Sequence, residues 1–263
     1  MSRIISLITD FSLADAYVGV MKGVILWIAP NAVIIDISHS IEPQNIFQAA
    51  FVIRSAYCYF PEETVHVVVV DPGVGSKRRR IAMKCGKWYF VGPDNGVFSY
   101  PIRDEGIGEC VEITAIEVNG LRGRTFDGRD VFAPAAARIA MGSALSELGP
   151  VIDDPITLDI PVASIGKYKI TGQIIYIDAF GNCISNIEAG DVERLGNRVV
   201  VNVGETRIGE MKTAYSDVAH GKTVALINSI GCVEVAVNRG SAVEVLGIKV
   251  GDMIEVKVDT EPC

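Results

Sequence analysis

The sequence is short of cationic charge, has only three histidines, and lacks any clustered cysteine. Its 24 lysines and arginines stand against 32 aspartates and glutamates, a formal charge of −8. So acidic a chain is a poor partner for nucleic acid, where affinity comes from neutralising phosphates. None of the six cysteines falls in a Cys-x-x-Cys pair, and no Cys/His spacing fits a zinc site. Cys58, Cys85, Cys110, Cys183 and Cys232 therefore read as buried thiols in a reducing compartment, and Cys263 as a tail thiol. No apolar stretch reaches the ~20 residues of a membrane helix. The apolar run at the N-terminus is too short for a signal peptide and is broken by Asp10. These absences point to a cytoplasmic protein with neither membrane nor nucleic acid as partner.

What is present is core-forming material. With 263 residues, 49% hydrophobic and 21% charged, the chain can bury a large core without disulfide or metal staples. Ile4–Thr9, Val33–Ile37 and Val65–Val70 are short, nearly continuous apolar runs that predict strands buried on both faces. Between them, Ala16–Ile28 and Asn45–Tyr59 carry apolar residues at helical spacing, with Pro43 placed for a first helical turn. A βαβαβ order predicts parallel strands with right-handed crossovers. Ile81–Lys84 and Trp88–Val91 read as strands, and Val131–Met141 as a helix with Asp130 as its N-cap. From about residue 165 the helical pattern stops. Short strands follow at Lys169–Ile177, Val199–Val203, Thr223–Ile227, Val233–Val237 and Met253–Val258, with turns at Gly181-Asn182, Gly196-Asn197, Gly231 and Gly240. The predicted class is α/β. A mostly parallel, Rossmann-like N-terminal sheet with flanking helices spans 1–160, and an all-β, barrel-like domain spans 165–263.

Ligands of open parallel sheets bind beyond the carboxyl ends of the strands. Asp10, Asp36 and Asp71 sit at or beside three such ends. Crowded carboxylates repel, so stability alone does not account for them, although solvated loop starts and helix caps do occur there. Asp71-Pro-Gly-Val-Gly75 lets a backbone approach a ligand closely, yet it is neither a P-loop nor G-x-G-x-x-G. Lys77-Arg78-Arg79-Arg80 follows. At least two of the four are expected to be only a solvated face, and one arginine to turn back towards the acids. Thr125–Asp130 reads either as a helix-capping box or as a polar loop at a helix N-terminus facing the cleft. In the second half, Asp178-Ala-Phe180-Gly-Asn182 combines an acid, an aromatic face and an amide, which suits an adenine-type pocket but also a plain hairpin turn. Asn228-Ser229-Ile-Gly231 and Glu234 form the other polar cluster.

Taken together these segments resemble the S-adenosyl-L-methionine (SAM) hydrolases that form adenosine, also called SAM hydroxide adenosyltransferases, relatives of the fluorinases and chlorinases. The resemblance covers nearly the whole chain. It rests on Thr9-Asp10-Phe11, Asp15-Ala-Tyr17-Val-Gly, Met21-Lys22-Gly23 and Asp36-Ile-Ser-His39. It continues through Val70-Asp71-Pro-Gly-Val-Gly75, Gly92-Pro-Asp-Asn-Gly96 and Phe126-x-Gly-Arg-Asp-x-Phe-Ala-Pro134. It ends with Asp178-Ala-Phe-Gly-Asn182, Asn228-Ser-x-Gly231 and Glu234-Val-Ala-Val-Asn238.

The resemblance implies a homotrimer with active sites shared between subunits, SAM as substrate, and no metal or other cofactor. It implies that Asp10 holds the ribose hydroxyls, that Asp178 and Ser229 hold the two ends of the methionine, and that Asn182 reads adenine beside Phe180. Glu234 belongs to the same substrate-binding set. Asp71 and Arg78 match two members of an Asp-Arg-His set that positions the attacking water. In place of the histidine this chain carries Asp127. Three other readings compete: a halogenase, disfavoured because a carboxylate at Asp71 repels a halide; a weakly catalytic SAM- or adenosine-binding protein; and a metal-dependent phosphohydrolase using Asp10, Asp36 and Asp71 as ligands.

Overall fold

The apolar runs Ile4–Thr9 (β1), Val33–Ser38 (β2) and Val65–Val69 (β3) are neighbours in one sheet, with β1 pairing in parallel to both others. The computed structural model describes residues 3–116, 125–196 and 198–259, so Cys263 and Asn197 lie outside the described residues. Helix α1 (Tyr17–Ile28) links β1 to β2, and α2 (Ile46–Arg54) precedes β3. Asn45 caps α2 by accepting from the Gln48 N–H at 3.0 Å. Pro43 therefore lies in the turn before the helix rather than in its first turn. The expected helix through Tyr59 stops at Arg54 and is followed by a 3₁₀ turn, Tyr57–Tyr59, where Cys58 is exposed rather than buried.

After β3 come β4 (Arg80–Cys85), β5 (Trp88–Pro93), α3 (Ser99–Glu105) and β6 (Ile107–Glu112). The sheet order is β2-β1-β3-β5-β4-β6. Strands β2-β1-β3-β5 run parallel, while β4 is antiparallel to both β5 and β6. The sheet is thus mixed, because a two-residue reversal at Gly86-Lys87 turns β4 straight into β5, and so short a connection makes antiparallel neighbours. Residues alternate between two cores. Ile5, Leu7, Val65 and Val67 pack with α1 and with α4 (Ala133–Ala140), whereas Ile8, Val68, Ile81 and Phe90 pack with α2. Burial on both faces explains why β1 and β3 read as unbroken apolar runs. The apolar run of β2 does not follow that expectation: it stands at the sheet edge with Val33 exposed and no residue fully buried. Helix α4 is rich in alanine and packs against α1.

The predicted cap of the fourth helix differs. A π turn, Gly128–Phe132, leads into α4, and Asp130 lies buried inside that turn, bonded to Arg129 at 2.6 and 2.8 Å. It lies within the helical path and not at the cap position, which Asp127 occupies.

The chain divides into two compact units, Met1–Asp159 and Ile160–Cys263. The second comprises β7 (Ser164–Ile165), β8 (Lys169–Ile177), β9 (Cys183–Glu188), β10 (Val199–Val203), β11 (Thr206–Lys212), β12 (Thr223–Ile227), β13 (Cys232–Val237) and β14 (Met253–Val258). The order β14-β10-β11-β12-β13-β9-β8 closes through a β14–β8 pairing into a seven-stranded barrel, and β7 adds to β8 outside the ring. Closure leaves no free sheet edge in the ring. Inward residues such as Ile174, Val201, Val235 and Ile254 fill it. It is not purely β: the one-turn helices α5 (Ala189–Glu193) and α6 (Ala242–Leu246) interrupt the strands.

Candidate active site

Asp71 follows β3 after a single residue, Val70, and the glycine-rich loop after it folds back on itself. The Val74 N–H donates to the Asp71 carbonyl at 3.3 Å, and Gly75 takes a φ of 80°, which favours glycine. The reversal returns Arg78 to Asp71. Arg78 Nε lies 2.9 Å from Asp71 Oδ1, and its Nη2 donates both to Asp71 Oδ2 and to Asp127 Oδ2. Arg80 Nε reaches the same Asp127 oxygen at 2.9 Å. The side chains of Asp71, Asp127 and Arg78 are 5%, 3% and 10% exposed. Charges this deep are tolerated only when paired, and two guanidinium groups here balance two carboxylates. The Arg78 guanidinium also sits 5.5 Å over the Phe132 ring.

Of the two readings of Thr125–Asp130, the polar loop fits. The Asp127 side chain makes no cap bond to the π turn and turns to the arginines instead. A pocket of about 150 Å³ opens beside it, lined by Asp71, Val74 and Asp127 and by the rings of Phe11, Tyr17 and Phe126. The three rings meet in pairs at centroid distances of 5.6, 5.7 and 5.2 Å. The pocket therefore sets an aromatic wall against two carboxylates, Asp71 and Asp127, which Arg78 bridges.

The other rim acids behave differently. Asp10 Oδ2 accepts the Gln44 N–H at 2.9 Å, and Asp10 is joined in sequence to the pocket residue Phe11. Asp36 is engaged elsewhere. Lys22 Nζ is 2.6 Å from its Oδ2, and His39 Nε2 is 3.0 Å from its Oδ1. Burial pushes the Asp36 carboxyl up, but Lys22 and His39 outweigh that and hold it below its usual value. No group of three or more His, Cys, Asp or Glu among the described residues is arranged to hold a metal ion.

The charge run also departs from expectation. Lys77 is exposed, but all three arginines are engaged: Arg79 pairs with Asp94 at 2.7 Å and Asp154 at 2.5 Å, while Arg78 and Arg80 meet Asp127. Arg80 went unrecognised in the sequence. The available signal was period two: entering β4, Arg78 and Arg80 share one side and Arg79 the other.

In the second unit, the turn between β8 and β9 is organised by Asp178. Its Oδ1 accepts the N–H groups of Phe180 (2.8 Å) and Asn182 (2.9 Å), and its Oδ2 accepts from Asn182 Nδ2 at 2.9 Å. Gly181 has a φ of 81°, and a Cβ there would come within 2.1 Å of Ser241 Oγ. Phe180, at the turn's tip, is 79% exposed. Glu234, on β13, is buried and accepts from Tyr215 Oη at 2.8 Å and Asn228 Nδ2 at 3.2 Å. Burial pushes Glu234 above its usual value, those two bonds oppose the rise, and Asp178 adds to it. Burial, then Glu234, pushes the Tyr215 hydroxyl up to about 12. Ser229 is exposed in the turn next to Asn228, whose Oδ1 holds the Ile230 and Cys232 N–H groups. Tyr215 is the second residue that sequence reasoning missed, since an isolated tyrosine carries no motif.

An α/β unit with an arginine-bridged carboxylate pair, followed by a closed seven-stranded barrel, defines the class. The chain belongs to the SAM hydroxide adenosyltransferase family: the family's N-terminal domain matches residues 5–149 and its C-terminal domain residues 172–255. It is similar to the (R)-S-adenosyl-L-methionine hydrolase of Thermus thermophilus, with 37% identity over 95% of this chain and 97% of that one. The protein of the same name from Methanocaldococcus jannaschii is 35% identical over 96% and 95%. A fluorinase of Nocardia brasiliensis is more distant, at 25% over 97% of both chains. Among solved structures, an uncharacterized conserved protein from Thermotoga maritima superposes with a TM-score of 0.92, at 39% identity over 96% of this chain and 99% of that one.

Proposed function

We propose that this chain hydrolyses SAM to adenosine and L-methionine, acting on the (R) sulfonium epimer for which its relatives are named. The observation that carries the reading is the buried Asp71–Arg78–Asp127 cluster on an aromatic-walled pocket. Water attacks C5′. The C5′–O bond forms, the C5′–S bond breaks with its electron pair going to sulfur, and methionine leaves as a neutral thioether. The leaving group needs no proton. The water must lose one, and a carboxylate held by arginines accepts a hydrogen bond from it and then the proton. The remaining demands are in-line orientation and exclusion of bulk water, which a small pocket walled by rings meets. Aromatic faces also attract a sulfonium. Attraction equal in ground and transition states would not speed the reaction.

In this reading Asp10 takes the ribose hydroxyls, Asp178 and Ser229 hold the methionine ends, Asn182 reads the adenine edge, Phe180 stacks beside it, and Glu234 supports the methionine end of the site. No resident cofactor or metal takes part. The protein works as a cytoplasmic homo-oligomer, a trimer, in which the Asp178 loop of one subunit completes the Asp10 rim of the next. The exposed Phe180 supports that arrangement, because an aromatic left in water at a loop tip gains from a partner surface. Incubating the pure protein with SAM and separating the products by chromatography tests the proposal. Adenosine and methionine are expected. Binding without products would favour the weakly catalytic reading, and a halogenated nucleoside formed in the presence of halide would favour a halogenase.

A further inference from the structure

Arg80 differs from the rest of the water-positioning cluster in standing on a strand rather than a loop. It opens β4 opposite Pro93 of β5, and its carbonyl accepts the Ile113 N–H at 2.7 Å. Its backbone is therefore fixed from both sides, and its side chain leaves β4 on the side that faces Asp127. That side chain is 33% exposed, against 3% for Asp127. Without Arg80, two deeply buried carboxylates would share a single guanidinium and leave one negative charge uncompensated, which is costly in a buried setting. The hydrogen-bond pattern is equally specific. Arg78 and Arg80 both donate to Oδ2 of Asp127, and Oδ1 accepts no hydrogen bond from any described residue. Two donors on one oxygen fix the plane of the carboxylate. Asp127 itself lines the pocket. The neighbouring Arg129 donates to both carboxylate oxygens of Asp130.

We propose that Arg80 is a positioning residue for SAM hydrolysis, pinning Oδ2 of Asp127 so that Oδ1 is presented to the attacking water. Arg80 acts through Asp127 and touches neither substrate nor water. The inference rests on the proposed role of Asp127 as the acceptor for that water, and it adds an orienting partner to the set. Steady-state kinetics on four variants test it. Arg80→Gln is expected to lower kcat by about 10- to 100-fold, the scale of a misplaced catalytic group, with little change in KM. Arg80→Lys, which keeps the charge and one donor, is expected to recover most of that loss. On an Asp127→Asn background, adding Arg80→Gln is expected to cost almost nothing further, because the group it orients no longer works as an acceptor. Equal Arg80→Gln losses on the wild-type and Asp127→Asn backgrounds would overturn the role of Arg80 while leaving Asp127 in place. A folded Arg80→Lys protein as slow as Arg80→Gln would do the same. Unchanged turnover in Asp127→Asn alone would overturn the reading of Asp127, and the inference with it.

Discussion

Arg78 grips Asp71 at two points, with Nε 2.9 Å from Oδ1 and Nη2 on Oδ2. The fork also extends to Asp127, so one planar guanidinium sets the spacing of two carboxylates. A lysine ammonium is a point charge and cannot reproduce that geometry. Arg78→Lys should therefore lower kcat by about 10²-fold in a protein that still folds. Arg78→Met should lower stability by about 3–5 kcal/mol, the scale of breaking a buried ion pair. Steady-state assays and urea denaturation read the two effects separately.

Asp127 is the chain's departure from the histidine that the family resemblance implies at this position. Its side chain goes to Arg78 and Arg80 and not to a helix cap, which favours a role for the carboxylate at the pocket. Asp127→Asn should reduce turnover by about 10²-fold or more, the scale of a lost general base. Asp127→His should not improve on the native residue, because an imidazole in place of the carboxylate forfeits the charge that balances two arginines. If turnover is unchanged in the asparagine variant and rises strongly in the histidine variant, the carboxylate is not the working group.

Much of this frame was legible, for a physical reason. Strands buried on both faces need near-continuous apolar runs, so β1 and β3 announce themselves, and a glycine-rich loop after a strand marks the site. The missed elements carry signals that point elsewhere. Strand β11 (TRIGEMK) is largely solvent-facing and reads as polar, and α3 holds Pro101, tolerated because it falls in the first turn. The start of α4 was misread because a π turn has no sequence signature that separates it from an α-turn with Asp130 as cap. The arginine run was misread because its partners, Asp94, Asp127 and Asp154, lie far along the chain, and only the fold brings them to Arg78–Arg80.

Gly128 sits next to Asp127, where there is no room for a side chain. A Cβ would lie 2.9 Å from Phe126 Cε2 and 3.1 Å from Met21 Sδ. Gly128→Ala should cost about 1–3 kcal/mol by overpacking. It should also lower kcat, because relief of the clash moves the Phe126 ring and the turn that carries Asp127. Thermal unfolding together with initial rates checks both parts. A variant as stable and as active as the parent would show that the pocket wall yields freely.

Phe180 offers the opposite case, a residue whose removal should leave folding untouched. At 79% exposed it contributes little to the barrel, so Phe180→Ala should change stability by less than about 0.5 kcal/mol. If it stacks beside adenine, its loss should weaken SAM binding by about 1–3 kcal/mol, the usual value of base–aromatic stacking. Calorimetric titration with SAM measures the affinity, and a variant that binds as tightly as the parent would remove Phe180 from the substrate site.

His66 makes the stability of the N-terminal unit depend on pH. Its ring is fully buried on β3, with Nδ1 2.6 Å from Ser6 Oγ, and it stacks on Phe90 at 5.3 Å while Nε2 has no partner. Burial lowers its pKa from 6.5 to about 3. The unfolded chain accepts a proton at the ordinary value, so between those two values the unfolded state binds more protons than the folded one. Stability therefore rises with pH across that window. It is fully present above 6.5 and is lost as pH falls towards 3, by about 1.4 kcal/mol per unit. Urea denaturation at about pH 5.5 and about pH 4.5, both inside the window, should show that slope. His66→Phe keeps the stacked ring and removes the titration, so its slope should be shallower by about 1.4 kcal/mol per unit, whatever its absolute stability. Equal slopes in the two proteins would show that another group governs the acid sensitivity.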